Sequence, residues 1–166
     1  MLFRSRSYKR PTYYRPDEAA RLLAAFVDPM DRLIATILLR HGQRLNAVLS
    51  LSWAQVDFDK AVIRYSAMKT QRRGLTLPLD TDTGRMLKAW RALQTKTDPT
   101  DHVFESRTRP GHHRHDDGFR DALAAACRRA GVPYRGAHEL RRTCATTLLD
   151  MGEPLHRVSQ IGRAHV

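Results

Sequence analysis

The stretch Ala137-His138-Glu139-Leu140-Arg141-Arg142-Thr143-Cys144-Ala145-Thr146 decides how this chain is read. It predicts a helix from His138 to Met151, with Leu140, Cys144, Leu148 and Met151 as its core face and Gly152 as its stop. His138 and Arg141 then stand three residues apart, close together on one helix face. Leu140 points about 100° away from Arg141. One helix can therefore bury a leucine and present an imidazole and a guanidinium to a ligand. The guanidinium suits a phosphate, because its planar fork donates two parallel hydrogen bonds and keeps its charge.

Upstream, two more cations stand at structured positions. Leu33 to Leu39 is apolar nearly all round and predicts a buried helix, broken by Gly42. Arg44 follows that break, at the edge of a core. A second helix is expected from Leu45 to Trp53. Val56, Phe58, Ala61, Ile63 and Tyr65 alternate around an Asp59-Lys60 turn, and Leu75, Leu77 and Leu79 alternate again after Gly74. These segments predict a small sheet with a basic hairpin tip that carries Lys69, a mobile point charge able to deliver a proton. Two arginines, a lysine and a histidine from separate segments suggest a phosphate site.

The rest of the chain reads as helices and polar connections. Pro16-Asp17-Glu18 opens a helix with Leu22, Leu23 and Phe26 as its stripe. Thr83 to Leu93 is helical with Met86, Leu87, Trp90 and Leu93 on one side, and Phe119 to Ala130 with Phe119, Leu123 and Cys127. Residues 1–15 carry five basic residues and read as an extended basic arm or linker. His112-His113-Arg114-His115 reads as polar loop rather than a metal site, since no cysteine or carboxylate completes it. The fold class expected is α+β, mainly α-helical, with a small antiparallel sheet.

Composition narrows the partners. The 166 residues fit one domain with a real core, and a net charge of +12 favours a polyanion, nucleic acid first. An anionic membrane surface is the weaker alternative, because no amphipathic basic helix with an aromatic face is present. Cys127 and Cys144 are the only cysteines and read as buried reduced thiols. No apolar run reaches membrane-spanning length, and Met1-Leu2-Phe3-Arg4-Ser5-Arg6 is not a signal peptide. A cytoplasmic location is expected by elimination.

The ordered motifs resemble the catalytic domain of the tyrosine recombinases, the phage integrase family. His41-Gly42-Gln43-Arg44, followed by Leu49-Ser50-Leu51-Ser52-Trp53-Ala54-Gln55-Val56-Asp57, is similar to the first conserved box. Met68-Lys69-Thr70 and Leu75-Thr76-Leu77-Pro78-Leu79 resemble the lysine hairpin and its following strand, and Val103-Phe104-Glu105-Ser106 the family's Leu-Phe-x-Ser segment. Ala137 to Thr146 resembles the second box. The resemblance runs from about Arg15 to Gln160, so residues 16–160 are expected to be part of such a domain.

That resemblance implies site-specific recombination or integration of double-stranded DNA without metal or cofactor. Arg44 and Arg141 would clamp the scissile phosphate, Lys69 would act as general acid, and His138 would hold the phosphate and assist proton transfer. A tyrosine would attack to form a 3′-phosphotyrosyl link. The full-length parent would self-associate on DNA. Ala47 stands where the family usually has an acid. The family's N-terminal clamping domain, its third motif and its tyrosine are not found in the chain, and Tyr8, Tyr13, Tyr14, Tyr65 and Tyr134 are out of place for a nucleophile. The polypeptide is therefore expected to bind DNA without cleaving it. A non-catalytic DNA-binding protein from a decayed recombinase is the alternative, and a generic basic RNA- or ribosome-associated protein would leave the ordered boxes unexplained.

Ile161-Gly162-Arg163-Ala164-His165-Val166 resembles nothing in the family at that place. The codons ATC GGA AGA GCA CAC GTC would encode it, and they match the start of a common short-read sequencing adapter. Residues 161–166 are therefore expected to be an adapter-derived, non-native tail.

Overall fold

The buried middle of the molecule is one helix, α2 (Pro29–His41), and the sequence shows why it forms. The Asp28 carboxylate accepts from the Met30 amide at 2.9 Å, Pro29 fits the first turn, and Gly42 closes the helix at φ 59°. Its residues Leu33, Ile34, Ala35, Ile37 and Leu38 are all buried. The computed structural model describes residues 12–67 and 74–162.

Around α2 lie α1 (Pro16–Ala25), the short α3 (Leu45–Leu49), α4 (Thr81–Ala92), α5 (Asp116–Ala130), α6 (Ala137–Asp150) and α7 (Leu155–Gly162). α1 packs on α5, and α2 packs on both α4 and α6. Strands β1 (Val56–Asp57), β2 (Val62–Tyr65) and β3 (Leu75–Pro78) form an antiparallel sheet in the order β1-β2-β3. Its register pairs Val56 with Ile63, Ile63 with Leu77 and Tyr65 with Leu75. Ile63, Tyr65 and Leu77 fall on its buried face. The molecule is thus mainly helical with a small antiparallel sheet, as the sequence implied. No helix among the described residues is long and apolar enough to cross a membrane.

Five expectations need correction. The helix expected from Leu45 to Trp53 ends at Leu49. The backbone beyond it bonds to a distant segment: the Val103 amide donates to the Leu51 carbonyl at 2.8 Å, and the Trp53 amide to the Asp101 carbonyl at 3.1 Å. The chain then makes one 3-10 turn, Trp53–Gln55. Phe58 and Ala61 lie in the connection between β1 and β2 rather than in strands, with the Lys60 amide donating to Asp57 and Ala61 at φ 50°. Met151 is 76% exposed and Leu93 is 70% exposed, because each follows the end of its helix and escapes the core.

The fifth correction concerns Tyr14, placed by sequence in a basic arm. It is only 1% exposed. Its amide donates to Thr143 Oγ1 at 2.9 Å, and its hydroxyl accepts from the Arg135 amide at 3.1 Å. The Arg135 guanidinium lies over the ring at 5.1 Å and pairs with Glu18 at 3.1 Å. Burial would raise Glu18, but the Arg15 amide and the Arg135 guanidinium together hold it below its ordinary value. Residues 1–11 of the expected arm, the hairpin tip with Lys69, and residues 163–166 of the expected tail lie outside the described residues. Cys127 and Cys144 are free and buried.

Candidate functional site

Two turns set the direction of the two arginines. Gly42 takes the left-handed conformation that ends α2, so the chain reverses and Arg44 becomes the residue capping α3, whose Ala47 and Val48 amides donate to the Arg44 carbonyl. Gly136, at φ 85°, starts α6 with no side-chain cap. His138 and Arg141 follow on the first turns of that helix, where the peptide dipoles add positive potential.

Gln43, Arg44, Asn46, Arg120, His138 and Arg141 line one cleft of about 260 Å³. Arg141 is buried in its lining, at 8% exposed. Burial lowers its affinity for a proton, and the positive charge of Arg44 lowers it further. Among the described residues no carboxylate makes an ion pair with Arg141. A buried guanidinium repelled by a second cation is stabilised by an anion entering the cleft. Lys69 lies outside the described residues, so only its flanking strands can be placed. β2 ends at Tyr65, and β3 begins at Leu75. Ala47 lies on α3, partly buried against the core.

The device that holds this cleft in place was not visible in the sequence. His41 is buried between α2 and the sheet. Its Nε2–H donates to the Pro78 carbonyl at 3.0 Å, which leaves Nδ1 to accept from the Tyr65 hydroxyl at 2.8 Å. Gln43 donates to the His41 carbonyl at 3.1 Å. From the other side the Cys144 thiol donates to the Arg40 carbonyl at 3.4 Å, with burial pushing that thiol up to about 11. The last turn of α2 thus connects Arg44 to the strands around the hairpin and to the helix that bears Arg141. A histidine beside a glycine was the available signal, but its partners lie 24 and 37 residues away.

Burial holds His41 below its ordinary 6.5, although the Pro78 bond pulls the other way. The folded chain therefore binds fewer protons at this site than the unfolded chain, and stability from it is lost as pH falls through 6.5 and below. Chemical denaturation between pH 7.5 and 5 should show this loss, and His41→Asn should lack it. Equal slopes in the two proteins would exclude His41 as the cause.

Two histidines of the 112–115 segment, His113 and His115, have local duties. His113 Nδ1–H donates to the Arg114 carbonyl at 2.9 Å, and the His115 ring accepts from the Asp117 amide at 3.3 Å to cap α5.

A profile described as the phage integrase family matches residues 13–165. A tyrosine recombinase XerC-like protein of Caldanaerobacter subterraneus subsp. tengcongensis is 27% identical, over 78% of this chain and 42% of that protein. The integrase of Salmonella phage P22 is 25% identical, over 93% of this chain and 41% of that protein. The chain thus spans less than half the length of these curated relatives. Among solved structures, XerA recombinase superposes with a TM-score of 0.80 at 25% identity, over 95% of this chain and 58% of that one. The catalytic domain of bacteriophage HP1 integrase shares the fold, with a TM-score of 0.66 at 21% identity, over 92% of this chain and 81% of that one. Together with the two boxes that Gly42 and Gly136 orient around one cleft, the match over residues 13–165 shows that the chain belongs to the phage integrase family.

Proposed function

We propose that residues 16–160 form part of the catalytic domain of a tyrosine recombinase that performs site-specific recombination or integration of double-stranded DNA. The observation that carries this reading is the cleft where Arg44, His138 and Arg141 converge, with Arg141 buried and without a carboxylate partner among the described residues. A phosphodiester supplies the missing anion. Two guanidiniums would neutralise charge on its non-bridging oxygens as the five-coordinate transition state forms. His138 would donate a hydrogen bond to the same group. In the whole enzyme a tyrosine hydroxyl attacks phosphorus and gives up its proton with the assistance of His138, the bond to the 5′-oxygen breaks, and Lys69 protonates the departing oxygen. The 3′-phosphotyrosyl link keeps the bond energy for rejoining. The cations are side chains, so the reading calls for no metal and no cofactor.

Support for the DNA partner comes from the net charge of +12 and from XerH recombinase, a neighbour of the same fold solved bound to its difH substrate. Self-association on DNA and a cytoplasmic location go with this reading of the full-length parent.

For the polypeptide 1–166 itself, the second reading has its own observation. Among the described residues, no tyrosine lines the cleft. Tyr14 and Tyr65 are buried, and their hydroxyls are engaged with Arg135 and His41. This polypeptide binds DNA and does not cleave it.

The test is a titration of the polypeptide on a fluorescent duplex over a range of salt, with a nicked duplex checked in parallel on a denaturing gel. Binding should weaken linearly in log–log form, and Arg44→Ala and Arg141→Ala should each reduce the slope by about 0.9. Salt-independent binding, or unchanged slopes in both variants, would sink the DNA reading. A covalent protein–DNA band would overturn the non-cleaving assignment.

A further inference from the structure

Resting on that reading, we infer that Arg120 is a further DNA-contacting residue of the cleft, taking a second phosphate beside the one held by Arg44 and Arg141. It is not part of either sequence box, yet it lines the same cleft. Charge counting motivates the assignment. One phosphodiester carries one negative charge, which the two guanidiniums of Arg44 and Arg141 already exceed. A third guanidinium on the wall matches the next phosphate of a polyanion, not the same one.

The geometry supports this. Arg120 follows Phe119, which is fully buried and fixes that turn of α5 in the core. The helix is capped at both ends, by His115 and by Gly131 at φ 64°. Arg120 therefore projects from a rigid element, whereas its own side chain is 53% exposed and within reach of a ligand. Its present partner is Asp116 one turn earlier, at 3.4 Å, an ion pair open to solvent. Pairs of this kind are held weakly. A phosphate can take the guanidinium from that carboxylate and gain a bidentate contact.

The experiment uses the 1–166 polypeptide and a non-specific duplex, measured by fluorescence anisotropy across salt. Arg120→Ala should lower the salt slope by about 0.9 and weaken binding several-fold at low salt, and Arg120→Lys should restore the slope. Arg85, on α4, is exposed, pairs with Asp82 at 3.5 Å and is not part of the cleft. Arg85→Ala should therefore leave the slope unchanged. Thermal melts confirm that each variant is folded. An unchanged slope for Arg120→Ala, with Arg44→Ala and Arg141→Ala both reduced, overturns this inference alone. Unchanged slopes in all three variants overturn the DNA reading and this inference with it. Equal losses for Arg85→Ala and Arg120→Ala show a general charge effect and also overturn the assignment.

Discussion

Replacing Arg141 with methionine should make the protein more stable and worse at its task. The side chain is 8% exposed, repelled by Arg44, and without an ion-pair partner among the described residues. An unliganded fold therefore holds a charge it would be better without. Methionine fills similar volume and removes the desolvation penalty, so stability should rise by about 1–3 kcal/mol. In a chain of this size that is a shift in Tm of about 3–10 °C. The same change deletes a charge-assisted contact to phosphate worth about 1.5–3 kcal/mol, so DNA affinity should fall roughly 10- to 100-fold. Differential scanning calorimetry and duplex titration on one preparation read both effects. A variant that loses stability would show that Arg141 has a structural partner, and the case for an anion-requiring cleft would fall.

Tyr14→Ala should cost about 3–5 kcal/mol, as expected for truncating a fully buried aromatic ring. That is a large part of the 5–15 kcal/mol typical of a whole domain. The ring packs under the Arg135 guanidinium and its hydroxyl accepts from the Arg135 amide, just ahead of α6. Its loss should therefore loosen the approach to His138 as well as the core. Urea denaturation measures the first effect, and the DNA salt slope reports the second. A cost below about 0.5 kcal/mol, the range for surface positions, would return this segment to the role of a linker.

These cases show what could be read from the sequence and what could not. α2 was legible from Leu33 to Leu39 because its apolar residues and its glycine stop lie within the helix or next to it, while its first turn, from Pro29, was not read. α6 was legible from its own apolar spacing, and its His138-Arg141 spacing placed two cleft residues on one helix. Leu51 to Trp53 was misread as helix because the Leu51 carbonyl and the Trp53 amide bond to Val103 and Asp101, which no local pattern announces. Tyr14 sits in a run of basic residues, so composition pointed to an arm, while its partners Thr143 and Arg135 are more than 120 positions away. Arg120 carried no motif, and only the packing of α5 against its neighbours brings it to the cleft.

The two-sided anchoring of the last turn of α2 has a consequence for local opening. The Arg40 carbonyl is held by Cys144, and the His41 ring by Tyr65 and Pro78. Fraying that turn would release the sheet, α3 and α6 together, so their amides should exchange with solvent as one cooperative unit. For protein engineering, the two boxes and the hairpin between them are then a single cassette. A graft that moves one segment without the other two would carry its charged side chains but lose the frame that aims them.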